Sequence, residues 1–134
     1  MPFISITRLR IRSWRYFPAF IFDAARSSRQ ARSAPGNLAV QVLRDARNAW
    51  WTGTAWDSEA SMRQFMVTHP HGPAMQKLMT WCDEASLVNW TQPDAALPSW
   101  TEAHRRMQLE GRPSKVIHPS SDHIAGAIAP PRVT

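Results

Sequence analysis

Two apolar runs, Leu38 to Leu43 and Trp50 to Trp56, are separated only by the polar stretch Arg44 to Asn48. Runs of that length with β-branched and aromatic residues read as strands, and a link this short forces them into a hairpin. The hairpin constrains the rest of the chain, because a helical stripe stands on each side of it. Before it, Phe17, Phe20, Ile21, Ala24, Ser28 and Ala31 recur at helical spacing, with Arg26, Arg29 and Arg32 largely off the stripe. Pro18 suits that helix's first turn, and Pro35-Gly36 ends it. After the hairpin, Asp57 or Ser58 can cap a helix carrying Met62, Phe65 and Met66. Thr68-His-Pro-His-Gly-Pro73 must interrupt it, and a second stretch follows with Met75, Leu78, Met79 and Cys82.

Strands open and close this series. Phe3 to Ile11 alternates, although Ile4 and Ile6 oppose Phe3 and leave the inward face at its start open. Ser86 to Gln92 supplies a fourth strand, ended by Pro93. Ser99 with Glu102 three residues on forms a capping-box pattern for a short helix that stops near Gly111. The order is β-α-β-β-α-β plus a C-terminal helix. It predicts an α+β ferredoxin-like fold, with a four-stranded antiparallel sheet and helices on one face. A second copy of the chain is the cheapest cover for the other face, so a homodimer is expected. Residues 1–118 would form the domain, and 119–134, rich in Ser, Pro, Ala and Gly, a flexible tail or an arm on a partner.

Composition narrows the function classes. A chain of 134 residues can bury one core, and a single cysteine excludes an internal disulfide. No apolar run reaches membrane-spanning length, so a cytoplasmic protein without membrane contact is the simple expectation. The charge of +6 raises nucleic acid as a partner. Fourteen of the sixteen basic residues are Arg, dispersed and outside any recognisable nucleic-acid motif. A solvated basic surface is the expectation instead.

The stretch Trp51-Thr-Gly-Thr-Ala-Trp-Asp-Ser-Glu-Ala-Ser-Met-Arg-Gln-Phe65, followed by His69 and His71, resembles a junction of antibiotic-biosynthesis-monooxygenase-like proteins. Arg-Ser-Ala-Pro-Gly-Asn-Leu38 is similar to their link from first helix to second strand, and Trp81-Cys-Asp-Glu-Ala-Ser86 to an extension in a bacterial subgroup. The resemblance implies a dimeric α+β barrel. It also implies oxidation of aromatic polyketides without a cofactor, heme degradation, or action on quinone-like substrates. Heme-degrading relatives carry an Asn on the first strand, a Trp at the end of the third and a His as iron ligand. Trp56 matches the Trp and His71 stands near the His, but Ser5 and Thr7 occupy the Asn region.

The candidate site follows. Trp56 would orient a substrate and His71 assist proton transfer, with Thr7, Arg29, Phe65 and Met75 contacting it. Trp56 also suits a core aromatic, and Met62, Met66, Met75 and Met79 suit a core stripe. His69 and His71 lack a carboxylate or thiolate cluster to complete a metal site, so no metal is expected. Cys82 beside Asp83 and Glu84 is a poor nucleophile. Three functions remain: a cofactor-independent oxygenase or isomerase on an apolar or aromatic molecule, a binding protein for heme or a hydrophobic metabolite, and a structural homodimer.

Overall fold

The computed structural model describes residues 1–68 and 77–131. Strand β1 (Phe3–Ile11) leads through a short 3-10 turn, Trp14–Tyr16, into helix α1 (Phe17–Ser33). The hairpin follows as β2 (Asn37–Arg44) and β3 (Ala49–Trp56), then helix α2 (Glu59–Val67) and strand β4 (Cys82–Thr91). Helix α3 (Trp100–Glu110), the two-residue strand β5 (Arg112–Pro113) and helix α4 (Ser121–Ala125) complete the order. The sheet runs β2-β3-β1-β4-β5, with every neighbouring pair antiparallel. Among the described residues it therefore has five strands where four were expected. The fifth is the pairing of Arg112 and Pro113 with Leu87 and Ser86.

Local chemistry explains the boundaries. Ser58 caps α2 by accepting from the Ser61 N–H, and Ser99 caps α3 by accepting from the Glu102 N–H. The hairpin turn is held by Asp45, whose buried carboxylate accepts from the Arg47 and Ala49 N–H groups and from the Trp51 indole. Asn48 takes the left-handed conformation the turn requires, with φ of 65°. The Pro35-Gly36 link and the Trp56–Ser58 junction touch: the Asp57 N–H donates to the Gly36 carbonyl at 2.8 Å. The two segments that carry the sequence resemblance thus build one corner of the molecule.

The last main strand begins earlier than expected. Cys82, expected on the helical stretch, opens β4 after a helical turn at 77–81. Asp, Glu and Ala favour strands poorly, but the partners across the ladder override that preference. Arg8 donates to Glu84 inside the protein, and Arg10 donates to Asp83 at 2.7 Å.

Register sorts the side chains into two faces. Ile4, Ile6, Arg8, Trp51, Gly53, Ala55, Val88 and Trp90 share one; Phe3, Ser5, Thr7, Leu9, Trp50, Thr52, Thr54, Trp56, Leu87 and Asn89 share the other. Helices α1 and α2 cover the second face through Phe20, Ala31, Met62 and Phe65. The first face is not bare. Trp100, Ala103 and Met107 of α3 pack with Ile4, Ile6, Trp51 and Val88, joined by Leu97 and Ile128. Both faces are covered, which is why Phe3 and Ile4 are both buried despite pointing opposite ways.

The segment expected as a tail folds back on β4. The Ser120 hydroxyl donates to Glu84 at 2.7 Å, its N–H to the Asp83 carbonyl, and His104 Nε2 lies 2.9 Å from the Ile128 carbonyl oxygen.

Candidate functional site

Two hollows accompany the sheet. A polar cleft of about 480 Å³ lies beside Arg8, Arg10, Arg47, Glu84 and Ser120. Charges beside it pair with one another, Arg8 with Glu84 and Arg10 with Asp83. A second cavity of about 420 Å³ lies between the sheet and helices α1 and α2. Its size falls within the usual range for a small-molecule site, and its walls are predominantly apolar.

Alternation builds its floor. In one cross-strand row Val40, Thr54, Ser5 and Asn89 lie side by side; in the next, Val42, Thr52, Thr7 and Leu87. All eight line the cavity, so two polar rungs cross an otherwise apolar floor. Thr54 Oγ1 reaches the Ser5 carbonyl at 3.5 Å. Among the described residues the buried Oδ1 of Asn89 has no hydrogen-bond partner, and neither has the buried indole N–H of Trp50. An orphaned buried acceptor or donor costs about 1–3 kcal/mol, so the cavity carries unmet hydrogen-bonding capacity of both kinds.

Helices supply the roof. Phe20, Ala24 and Ala31 of α1, and Met62, Phe65 and Met66 of α2, close over the floor, with Leu78 and Met79 beyond them. Asp23 also lines the cavity, largely buried, with Lys77 Nζ 3.5 Å from its Oδ2. Arg63 and Arg112 also border it, the Arg63 guanidinium being largely exposed and donating to Glu59 at 3.3 Å.

The site expected from the sequence is redistributed by this geometry. Thr7 and Phe65 line the cavity. Trp56 lies in the core with no exposed surface, tilted against Phe65 at 5.2 Å between ring centroids, and is absent from the lining. It packs in one core cluster with Ala31, Met62 and Phe65, which line the cavity. Arg29 is exposed on the outer side of α1 and does not reach the lining, because the helical period turns it away from Phe20 and Ala24. His71 and Met75 lie outside the described residues. Among the described residues the lining contains no imidazole; the iron ligand that the resemblance implies, His71, lies outside them. Among the described residues no group of three His, Cys, Asp or Glu side chains could hold a metal ion.

Sequence reasoning missed Asp23, Thr52, Thr54, Asn89 and Arg112. The threonines were within reach, since their period of two in Trp50–Trp56 places them on one face. Arg112 was not, because a two-residue strand leaves no periodic signal.

The solved structures of similar shape bear on this architecture. No family model matches the chain, and no curated protein matches it by sequence. A putative antibiotic biosynthesis monooxygenase from Nitrosomonas europaea superposes with a TM-score of 0.61 and 15% identity, over 68% of this chain and 89% of its own. SnoaB, a cofactor-independent oxygenase from Streptomyces nogalater, gives a TM-score of 0.57 and 18% identity over 73% of this chain and 98% of its own. The chain has the antibiotic-biosynthesis-monooxygenase-like fold. Rv0793 from Mycobacterium tuberculosis extends the likeness, with a TM-score of 0.64 and 11% identity over 72% of this chain and 99% of its own. At such identities the shared property is the fold. These proteins are matched over most of their own length, whereas over a quarter of this chain falls outside each match. No helix among the described residues is long and apolar enough to cross a membrane.

Proposed function

We propose that the protein is a small-molecule enzyme similar to the cofactor-independent monooxygenases, acting on an aromatic or otherwise apolar substrate in the cavity beneath α1 and α2. The observation that carries this reading is the cavity itself, apolar in its walls and crossed by the Ser5–Thr54–Asn89 and Thr7–Thr52 rungs. A flat molecule bearing oxygen functions satisfies both. Its rings replace water against Phe20, Phe65 and Trp50, and its oxygens meet the rungs.

Without a cofactor the substrate must supply the electrons. A hydroxyarene and dioxygen would give a quinone and water, one oxygen atom entering the product and the other leaving as water. Proton removal from the hydroxyarene starts such a step, and Asp23 is the carboxylate that the described cavity offers. The role expected of His71 stays a proposal outside the described residues.

The test is oxygen uptake with a panel of reduced hydroxyarenes. Turnover that Asp23→Asn lowers by about 10²-fold or more, with Thr7→Val weakening KM, supports the reading. A reproducible small-molecule adduct in native mass spectrometry with no oxygen uptake would replace it with a binding protein. A heme occupant would show a Soret band. Neither adduct nor uptake would refute both readings.

A further inference from the structure

The outer face of α1 has a chemistry that the cavity on its inner side does not use. Phe22, Arg26 and Arg29 stand four and three residues apart, so they lie along one line of the helix, opposite Phe20, Ala24 and Ala31. Arg32 flanks that line, and Trp14 and Arg15 precede the helix on the 3-10 turn. The apolar members are unusually bare: Trp14 is 79% exposed, Phe22 61% and Ile21 46%.

The charge on this face is all of one sign. None of Arg15, Arg26, Arg29 and Arg32 forms an ion pair among the described residues. The Arg26 guanidinium instead lies 5.4 Å from the Phe22 ring centroid, and that of Arg15 lies 5.6 Å from the ring of Tyr16. Asp23, the one carboxylate in α1, turns inward to the cavity and Lys77. Asp83, Glu84, Glu102 and Asp122 belong to β4, α3 and α4 instead.

We infer that this face docks on an anionic lipid surface. A bilayer interface rich in acidic headgroups complements the guanidinium groups of Arg26, Arg29 and Arg32, which form no ion pair among the described residues, and indole and phenyl side chains settle at the headgroup level. The exposed aliphatic Ile21 favours it over nucleic acid, whose bases could stack on Phe22 and whose phosphates need only the arginines. The chain then sits peripherally, with α1 flat on the surface. The inner side of α1 roofs the cavity, so docking would bring that cavity next to the phase in which apolar molecules concentrate. This inference does not depend on any reaction taking place there.

Co-sedimentation of the full chain with vesicles decides it. The protein should pellet with equimolar phosphatidylcholine and phosphatidylglycerol, remain in solution with phosphatidylcholine alone, and be released by high salt. Arg26→Gln, Arg29→Gln and Arg32→Gln combined should weaken partitioning by about tenfold or more. Trp14→Ala with Phe22→Ala should weaken it separately; all five positions are exposed, and an unchanged thermal transition would verify folding. Equal pelleting with both vesicles, or pelleting untouched by the arginine variant, would overturn the inference. So would no pelleting at all, a fall in sedimentation mass on Trp14→Ala with Phe22→Ala, which would assign the face to a second copy, or tight RNA binding that needs only the arginines.

Discussion

At the scale of single residues, the buried charges beside β4 are the most informative. Burial pushes the Glu84 carboxyl up, but hydrogen bonds from Arg8 and Ser120 and the charges of Arg8 and Arg10 outweigh it, and the net shift is downward. Its folded value lies below its unfolded one. The stability it contributes is therefore present above the ordinary carboxylate range and is lost as pH falls through the lowered value. Asp83 next to it has the opposite sign. Burial raises it more than Arg10 lowers it, so its protonation favours the fold as pH falls. Glu84→Gln should cost about 3 kcal/mol at neutral pH, since it strands the buried Arg8. Thermal melts should show the gap to the parent protein narrowing in acid, where Glu84 itself becomes neutral. Cys82 offers a second check. Burial first, and the Asp83 charge second, push its thiol up to about 12. Alkylating reagents at mild alkaline pH should label it only after denaturant has opened the fold, as mass spectrometry would record.

At the scale of elements, the corner between α1 and β3 controls how the cavity is roofed. Gly36 has φ of +86°, and a Cβ there would collide with Ser61 Oγ and lie 2.5 Å from Asp57 Oδ1. Gly36→Ala combines backbone strain with a collision against the start of α2 and should cost about 2 kcal/mol or more, seen as a lowered melting temperature. Much of this level was legible. Alternation marked β1, apolar runs around a polar turn marked β2 and β3, and Ser99 and the Asp57-Ser58 pair announced their helices as caps. The β4 boundary was not legible, because Asp83 and Glu84 join the ladder through arginines distant in sequence. Within the candidate site, Thr7 and Phe65 were readable from periodicity. Arg29 was misplaced although the same periodicity puts it on the outer side of its helix.

At the scale of the whole molecule, the covered sheet face matters most. A homodimer was expected because one face of a four-stranded sheet would be bare, yet α3 occupies it through Ala103 and Met107. Ala103 is fully buried against that face, so Ala103→Asp places an unpaired charge in the core and should cost about 3 kcal/mol or more. Hydrogen exchange should rise first in α3. The Ile4, Ile6 and Val88 surface it leaves behind should then drive self-association, which sedimentation would detect.

The sequence by itself determined the β-α-β-β-α-β order, the hairpin, the helix caps and the apolar stripes of the first two helices. These depend on local spacing and on residues that favour one backbone geometry, which a linear reading can follow. Only the tertiary structure decided that α3 closes the second face, that Trp56 is a core brace, and that Asp23, Asn89 and Arg112 meet around one cavity. Those facts are contacts between residues distant along the chain. Their energies arise from burial and charge pairing that exist only once the sheet has assembled.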